Sequence, residues 1–219
     1  MLRPTIGKTL LTAAFAVLLS ACSSSPSGEK APEPKPAPKP TEAETGRVAL
    51  QRLYTTSRGW AGDTEPISVQ SQNYKNAGGN PDAPLGHDGK SAVWRGIFGS
   101  RSRQSMKTYM WSGLTGPDAP PAGINPGSED SFSPNNTSTT PFQLVFLKMD
   151  TDQALETAQK HGGAAVLKKD PDMPVNFSLA WESRRSMLVW RVLYGKNSNE
   201  PDLSVVVNAT TNDFVRVEK

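Results

Sequence analysis

Apolar positions along this chain recur with two different periods, and a long polar stretch near the start follows neither. From Gly46 to about Arg58, Val48, Leu50, Leu53 and Tyr54 fall at helical spacing, and Gly59 is placed to end the helix. A second helix is marked more fully. Asp150, Thr151 and Asp152 offer N-cap side chains and negative charge at its start; Ala154, Leu155 and Ala158 form its apolar face; Lys160 and His161 precede a Gly162-Gly163 stop. Strand-like runs follow each helix. They are Ile67–Gln72, Ser91–Phe98 and Lys107–Trp111 after the first, and Val175–Glu182, Met187–Tyr194, Leu203–Asn208 and Phe214–Val217 after the second. Around Phe177 the alternation puts Phe177, Leu179 and Trp181 on one face and Ser178, Ala180 and Glu182 on the other. The turn formers of Ala209–Asp213 suit a hairpin between the last two strands.

One run is written twice. Ala92-Val-Trp-Arg-Gly-Ile-Phe-Gly-Ser100 and Leu188-Val-Trp-Arg-Val-Leu-Tyr-Gly-Lys196 share a Val-Trp-Arg-x-aliphatic-aromatic-Gly skeleton. Each follows a helix and precedes a further strand. The predicted fold is therefore α+β: two tandem units, each a helix laid across a small antiparallel sheet whose apolar face it buries. The first unit spans 46–145 and contains a loop, 113–141, so rich in Gly, Pro, Asn, Ser and Thr that it is expected to be irregular or mobile. The second unit spans 146–219.

The polar stretch lies between the first unit and a short apolar leader. Residues 22–45 are Ser-rich and then Pro-rich, and from Cys22 no large apolar residue occurs before Val48. Such a segment cannot bury enough surface to offset its ordering entropy. It reads as a disordered spacer, extended at about 3.1 Å per residue and reaching on the order of 60 Å. In the leader, Arg3 and Lys8 precede the apolar run Thr9–Leu19. That run is about half the length a membrane span needs, so it reads as a secretory signal, residues 1–21.

Leu19-Ser20-Ala21-Cys22 closes the leader, and Cys22 is the sole cysteine. The motif resembles the lipobox of bacterial lipoproteins. That resemblance implies cleavage between Ala21 and Cys22, a lipid on the Cys22 thiol and acylation of the new amino terminus, which together hold a protein stably at a membrane. Ser23 in place of Asp implies the outer membrane, facing the periplasm, if the host is Gram-negative. One cysteine excludes an internal disulfide and any cysteine-based metal site. The formal charge of +3 includes Arg3 and Lys8; without the leader, 22 basic residues face 21 acidic ones. A chain so nearly neutral has no global field for nucleic acid.

The second unit resembles the PepSY domain, a small extracytoplasmic helix-plus-sheet module related in shape to cystatin-like folds. The stretch Val207-Asn-Ala-Thr-Thr-Asn-Asp-Phe-Val215 stands where that family often reads Val-Asp-Ala-x-Thr-Gly-x-Val, with Asn208 for Asp and Asn212 for Gly. Asn tolerates left-handed backbone almost as Gly does, so the turn can survive. The resemblance implies a non-catalytic module that binds or inhibits envelope proteins.

Candidate chemistry is sparse. His87 lies in a turn-like loop, His161 ends a helix, and no Gly-x-Ser-x-Gly elbow is present. Asp118, Glu129 and Asp130 share a loop without metal-site spacing. No catalytic residue, metal or cofactor is predicted. Trp94 and Trp190 sit mid-strand and read either as core or as an exposed aromatic groove. Arg95 and Arg191 then point to the opposite face, near Arg101, Arg103, Arg184 and Arg185, where a basic patch could meet an envelope polymer. The candidate binding surface is thus Trp94, Trp190, Arg95 and Arg191. The expected function is a non-enzymatic envelope lipoprotein that binds a protein or polymer. The alternatives are an accessory subunit of an envelope assembly and a hydrolase with an unrecognised site.

Overall fold

The computed structural model describes residues 41–74, 83–116 and 119–218. The predicted signal, Cys22 and most of the tether lie outside the described residues. In chain order the elements are β1 (Glu44–Thr45), α1 (Gly46–Arg58), β2 (Glu65–Ser71), β3 (Lys90–Ser91), β4 (Val93–Ser100), β5 (Ser105–Ser112) and β6 (Gly123–Ser131), then α2 (Thr151–Ala158), α3 (Ala164–Lys169), β7 (Val175–Glu182), β8 (Met187–Tyr194), β9 (Leu203–Asn208) and β10 (Phe214–Glu218). The architecture is mixed helix and antiparallel sheet, mostly sheet. Strands from both halves run in one eight-stranded sheet, in the order β10-β9-β8-β7-β2-β4-β5-β6.

The halves join at β2 and β7, whose register sets Gln70 opposite Ser178. Gln70 also faces Arg95 on β4, and Ser178 faces Arg191 on β8. The pairing is therefore symmetric about the β2–β7 seam, and an approximate twofold axis passes between Gln70 and Ser178.

The helices cover one face of this sheet. Ala49, Leu50 and Leu53 of α1 and Ala154, Leu155 and Ala158 of α2 join Val69, Trp94, Phe98, Phe177, Leu179, Trp190 and Tyr194 in one buried core. Trp94 and Trp190 are both 0% exposed. Each indole needs a hydrogen-bond acceptor in that apolar setting. The Trp190 Nε1–H donates to the carbonyl of Met149 at 3.0 Å, and the Trp94 Nε1–H to that of Glu44 at 3.0 Å. Both carbonyls lie two residues before a helix begins, so each tryptophan pins the entry of its own helix to the sheet.

The two helix entries also meet each other. Asp150 Oδ1 accepts from the Thr151 N–H at 2.7 Å and from the Arg47 N–H at 2.9 Å, so one carboxylate serves the first turns of both helices. Close approach here requires Gly46: a Cβ at that position would fall 2.4 Å from Cη2 of Trp190.

Three expectations are corrected. Within 113–141, predicted irregular, Gly123–Ser131 forms the edge strand β6 paired with β5. Its sequence, Gly-Ile-Asn-Pro-Gly-Ser-Glu-Asp-Ser, lacks apolar alternation because the strand is almost wholly exposed. Pro126 is tolerated because an edge strand leaves one row of backbone groups unpaired. The second helix does not stop at Gly162-Gly163. Gly162, at φ +113°, opens a π-type kink, and the chain resumes as α3. Gly163 is needed there because the Tyr194 hydroxyl lies where a Cβ would be, at 2.1 Å. Finally, the end of segment 22–45, predicted disordered, is paired with the fold: Glu44 and Thr45 pair with Ser91 and Lys90, and the Glu42 N–H donates to the Gly113 carbonyl.

Candidate binding surface

Sheet alternation sends every second side chain away from the helices. On that open face a four-residue row crosses the seam in the order Arg95, Gln70, Ser178, Arg191. Three inter-strand steps put the two arginine Cα atoms about 15 Å apart. Both predicted arginines therefore share one face. Trp94 and Trp190 take no part in it, a correction to the candidate surface: the pleat that presents each arginine turns its neighbouring tryptophan into the core.

Along this row lie adjoining shallow hollows. One of about 640 Å³ is bordered by Arg191, Ser178, Gln70 and the β8–β9 loop at Ser198–Pro201. A second, of about 420 Å³, shares Gln70, Ser198 and Asn199 and adds Gln72, Arg95 and Lys196. A third, of about 280 Å³, shares Gln72 and Arg95 and reaches Asn125 on β6. Together they form one trough across the sheet. Its wall is the loop from Gly195 to Asp202, closed by the Asp202 N–H donating to Tyr194 and the Gly195 N–H donating to Pro174. The corresponding β4–β5 connection is a tight turn, Arg101–Gln104, so the trough is walled mainly by the second half.

The two arginines differ in electrostatics. Arg191 contacts Glu182 at 3.5 Å and Glu218 at 3.1 Å. Glu182 also accepts from Arg185 at 2.7 Å and from Nη1 and Nη2 of Arg216 at 3.1 and 2.9 Å, while Arg216 pairs with Glu218. Arg95 is exposed and has no ion pair among the described residues. Of the other arginines expected nearby, Arg185 joins the Glu182 network. Arg101 instead pairs with Glu65, Arg103 stacks over Trp60 at 5.3 Å, and Arg184 is exposed in the β7–β8 turn.

Burial works against charge on Glu182, but hydrogen bonds from Arg216 and Arg185 and their positive charges outweigh it, and its pKa lies below the ordinary value of 4.5. A depressed folded-state pKa adds stability that is present above the unfolded value and is lost as pH falls through the folded one. Glu182→Gln is expected to cost about 1–2 kcal/mol at neutral pH, between exposed and buried ion pairs. It should also flatten the acid limb of stability below about pH 5. Urea unfolding of both proteins across that range checks this, and parallel acid limbs would remove Glu182 from the account.

The remaining candidates are placed elsewhere. His87 Nε2 lies 2.7 Å from the Met173 carbonyl oxygen, and His161 stacks on Phe214 with ring centroids 3.8 Å apart. Glu129 accepts from Trp60 at 2.9 Å and from Lys107 at 3.0 Å. Asp118 lies outside the described residues. No group of three or more metal-capable side chains is clustered among the described residues. The polar floor of the trough, Gln70, Gln72 and Ser178, was missed in the sequence, although the alternation that buries Ile67 and Val69 sends Gln70 and Gln72 the other way.

No known protein family matches the chain, and no curated protein matches it. Among solved structures, a candidate lipoprotein of Clostridium difficile 630 is similar over 77% of this chain and 91% of that one, with a TM-score of 0.48 and 12% sequence identity. Among the described residues no helix is long and apolar enough to cross a membrane.

Proposed function

We propose that this chain is a lipid-anchored envelope protein whose folded part is a non-catalytic module that binds a protein or polymer through the open face of its sheet. The observation that carries the reading is the trough: a continuous band of hydrogen-bonding side chains centred on the β2–β7 seam, on the face that the helices leave uncovered. A helix-covered sheet gives such a face rigid backing, which preserves the geometry of a binding surface. On this reading the second half is a PepSY-like module. The Leu-Ser-Ala-Cys motif at Leu19–Cys22 supplies the anchor, and the Pro-rich tether lets the module reach partners away from the membrane. In a Gram-negative host the location is the outer membrane, facing the periplasm.

Two measurements test the two parts. Cys22→Ser is expected to lower the membrane-bound fraction at least about tenfold, since the acyl chains supply the anchoring energy, and intact mass should show lipid on the wild type alone. A mutant that still fractionates with membranes ends the anchor. For the binding face, a photo-crosslinking residue at Gln72 in the anchored full chain should capture a discrete partner, whereas one at Gln51, exposed on α1, should not. Equal capture from both positions, or none from Gln72, would count against the open face.

A further inference from the structure

We infer that the first half of the open face receives a carboxylate from a protein partner, with the Arg95 guanidinium as its counter-charge; this rests on the reading of the open face as the binding surface.

The fold provides its own control. Arg95 and Arg191 occupy matching positions on either side of the seam, one opposite Gln70 and the other opposite Ser178. Around Arg191 the chain supplies carboxylates. Glu182 stands four residues beyond Ser178, and Glu218 stands two beyond Arg216, which shares the row. Around Arg95 the matching places are neutral. Tyr74 stands four residues beyond Gln70, and Asn125 and Gly127 occupy the β6 positions that match Arg216 and Glu218. One arginine is thus neutralised internally, and among the described residues its counterpart has no carboxylate partner in its hollow.

The surroundings of Arg95 select the occupant. No carboxylate borders its two hollows among the described residues, and Lys196 adds a second positive charge. A planar guanidinium with spare donors matches a carboxylate in a two-point contact. Gln70, Gln72 and Asn199 offer amide donors and acceptors of the kind that match peptide N–H and C=O groups. Sugar chains are commonly held by stacking on aromatic faces, and among the described residues Tyr74 is the one ring bordering the trough. The chemistry therefore favours a protein segment carrying Asp or Glu over an acidic glycan.

The test uses the mature full-length chain and two fluorescein-labelled peptides, one of Gly-Ser-Glu repeats and one of Gly-Ser-Gln repeats, followed by anisotropy at low ionic strength. The acidic peptide should bind roughly tenfold more tightly, about the worth of one charge-assisted contact, and its advantage should fade with salt. Arg95→Gln should bring the two affinities together, Arg95→Lys should keep part of the difference, and Arg191→Gln should keep most of it. Circular dichroism confirms that the variants fold. Equal affinities in the wild type, no binding of the acidic peptide, a preference that survives Arg95→Gln, or tight binding of oligogalacturonate in place of the peptide would each overturn the inference. If that happens while the crosslinker at Gln72 still captures its partner, the open face remains the binding surface and only the occupant is wrong. If the crosslinker fails as well, both readings fall.

Discussion

Trp190→Ala should lower the free energy of unfolding by about 3–5 kcal/mol, with little change in denaturant slope. The side chain is 0% exposed and lies beneath the α1 entry, where Gly46 leaves it room. Leu179 and Val207 flank it on the neighbouring strands. Truncation leaves a cavity that the backbone cannot readily close, because Gly46 and Thr151 are held in place by hydrogen bonding between the helix entries. It also orphans the Met149 carbonyl, the acceptor of the indole proton. Trp190→Phe should cost less, since it restores much of the volume but not the hydrogen bond. Against a typical total of about 5–15 kcal/mol, the alanine variant is left close to unfolding. Chemical denaturation followed by circular dichroism gives the number. A loss under about 1 kcal/mol would mean that the indole is not buried and that an exposed aromatic groove is back in contention.

That prediction turns on a distinction the sequence posed but did not resolve. Val-Trp-Arg fixes only that Trp and Arg point to opposite faces; which face is covered depends on where the helices pack. The polar partners decide it in retrospect, since Gln70 and Ser178 share the arginine face and Val69 and Phe177 the tryptophan face. Elements with a strong local pattern were legible: α1 follows its helical spacing, β7 its alternation from Phe177 to Glu182, and β8 and β9 their dense apolar runs between polar turns. Elements specified by their neighbours were not. β6 is held by backbone pairing to β5 and carries no apolar pattern of its own. The kink after α2 reads as a stop because glycine is a common helix terminator, but here Gly162 supplies a positive φ and Gly163 clears the Tyr194 hydroxyl. The joining of the halves through β2 and β7 had no local signal either, since both strands read as half-buried in isolation. The trough inherits that difficulty: its floor comes from strands on both sides of the seam and its wall from a polar loop.

Asp150→Ala should destabilise the protein by about 2–3 kcal/mol, more than the loss of an ordinary helix cap. The reason is that α1 has no cap of its own. Its N-cap residue, Thr45, makes no side-chain hydrogen bond to the helix, and the Arg47 N–H is satisfied instead by Asp150. The same carboxylate caps α2, with the Gln153 side chain accepting from the Asp150 N–H at 3.1 Å to complete a capping box. Two helix N-termini, each with positive partial charge, therefore converge on one negative group. Removing it leaves donors of both helices unpaired and two like dipole ends facing each other. Asp150→Asn, which retains an acceptor oxygen but no charge, should lose about half as much. Hydrogen exchange separates this account from a purely local one: amides in the first turns of α1 and α2 should lose protection together in Asp150→Ala. If only α2 opens, the shared cap is wrong, and the helix entries are joined instead through the Gly46–Thr151 hydrogen bond and the Arg47 side chain on the Leu147 and Lys148 carbonyls.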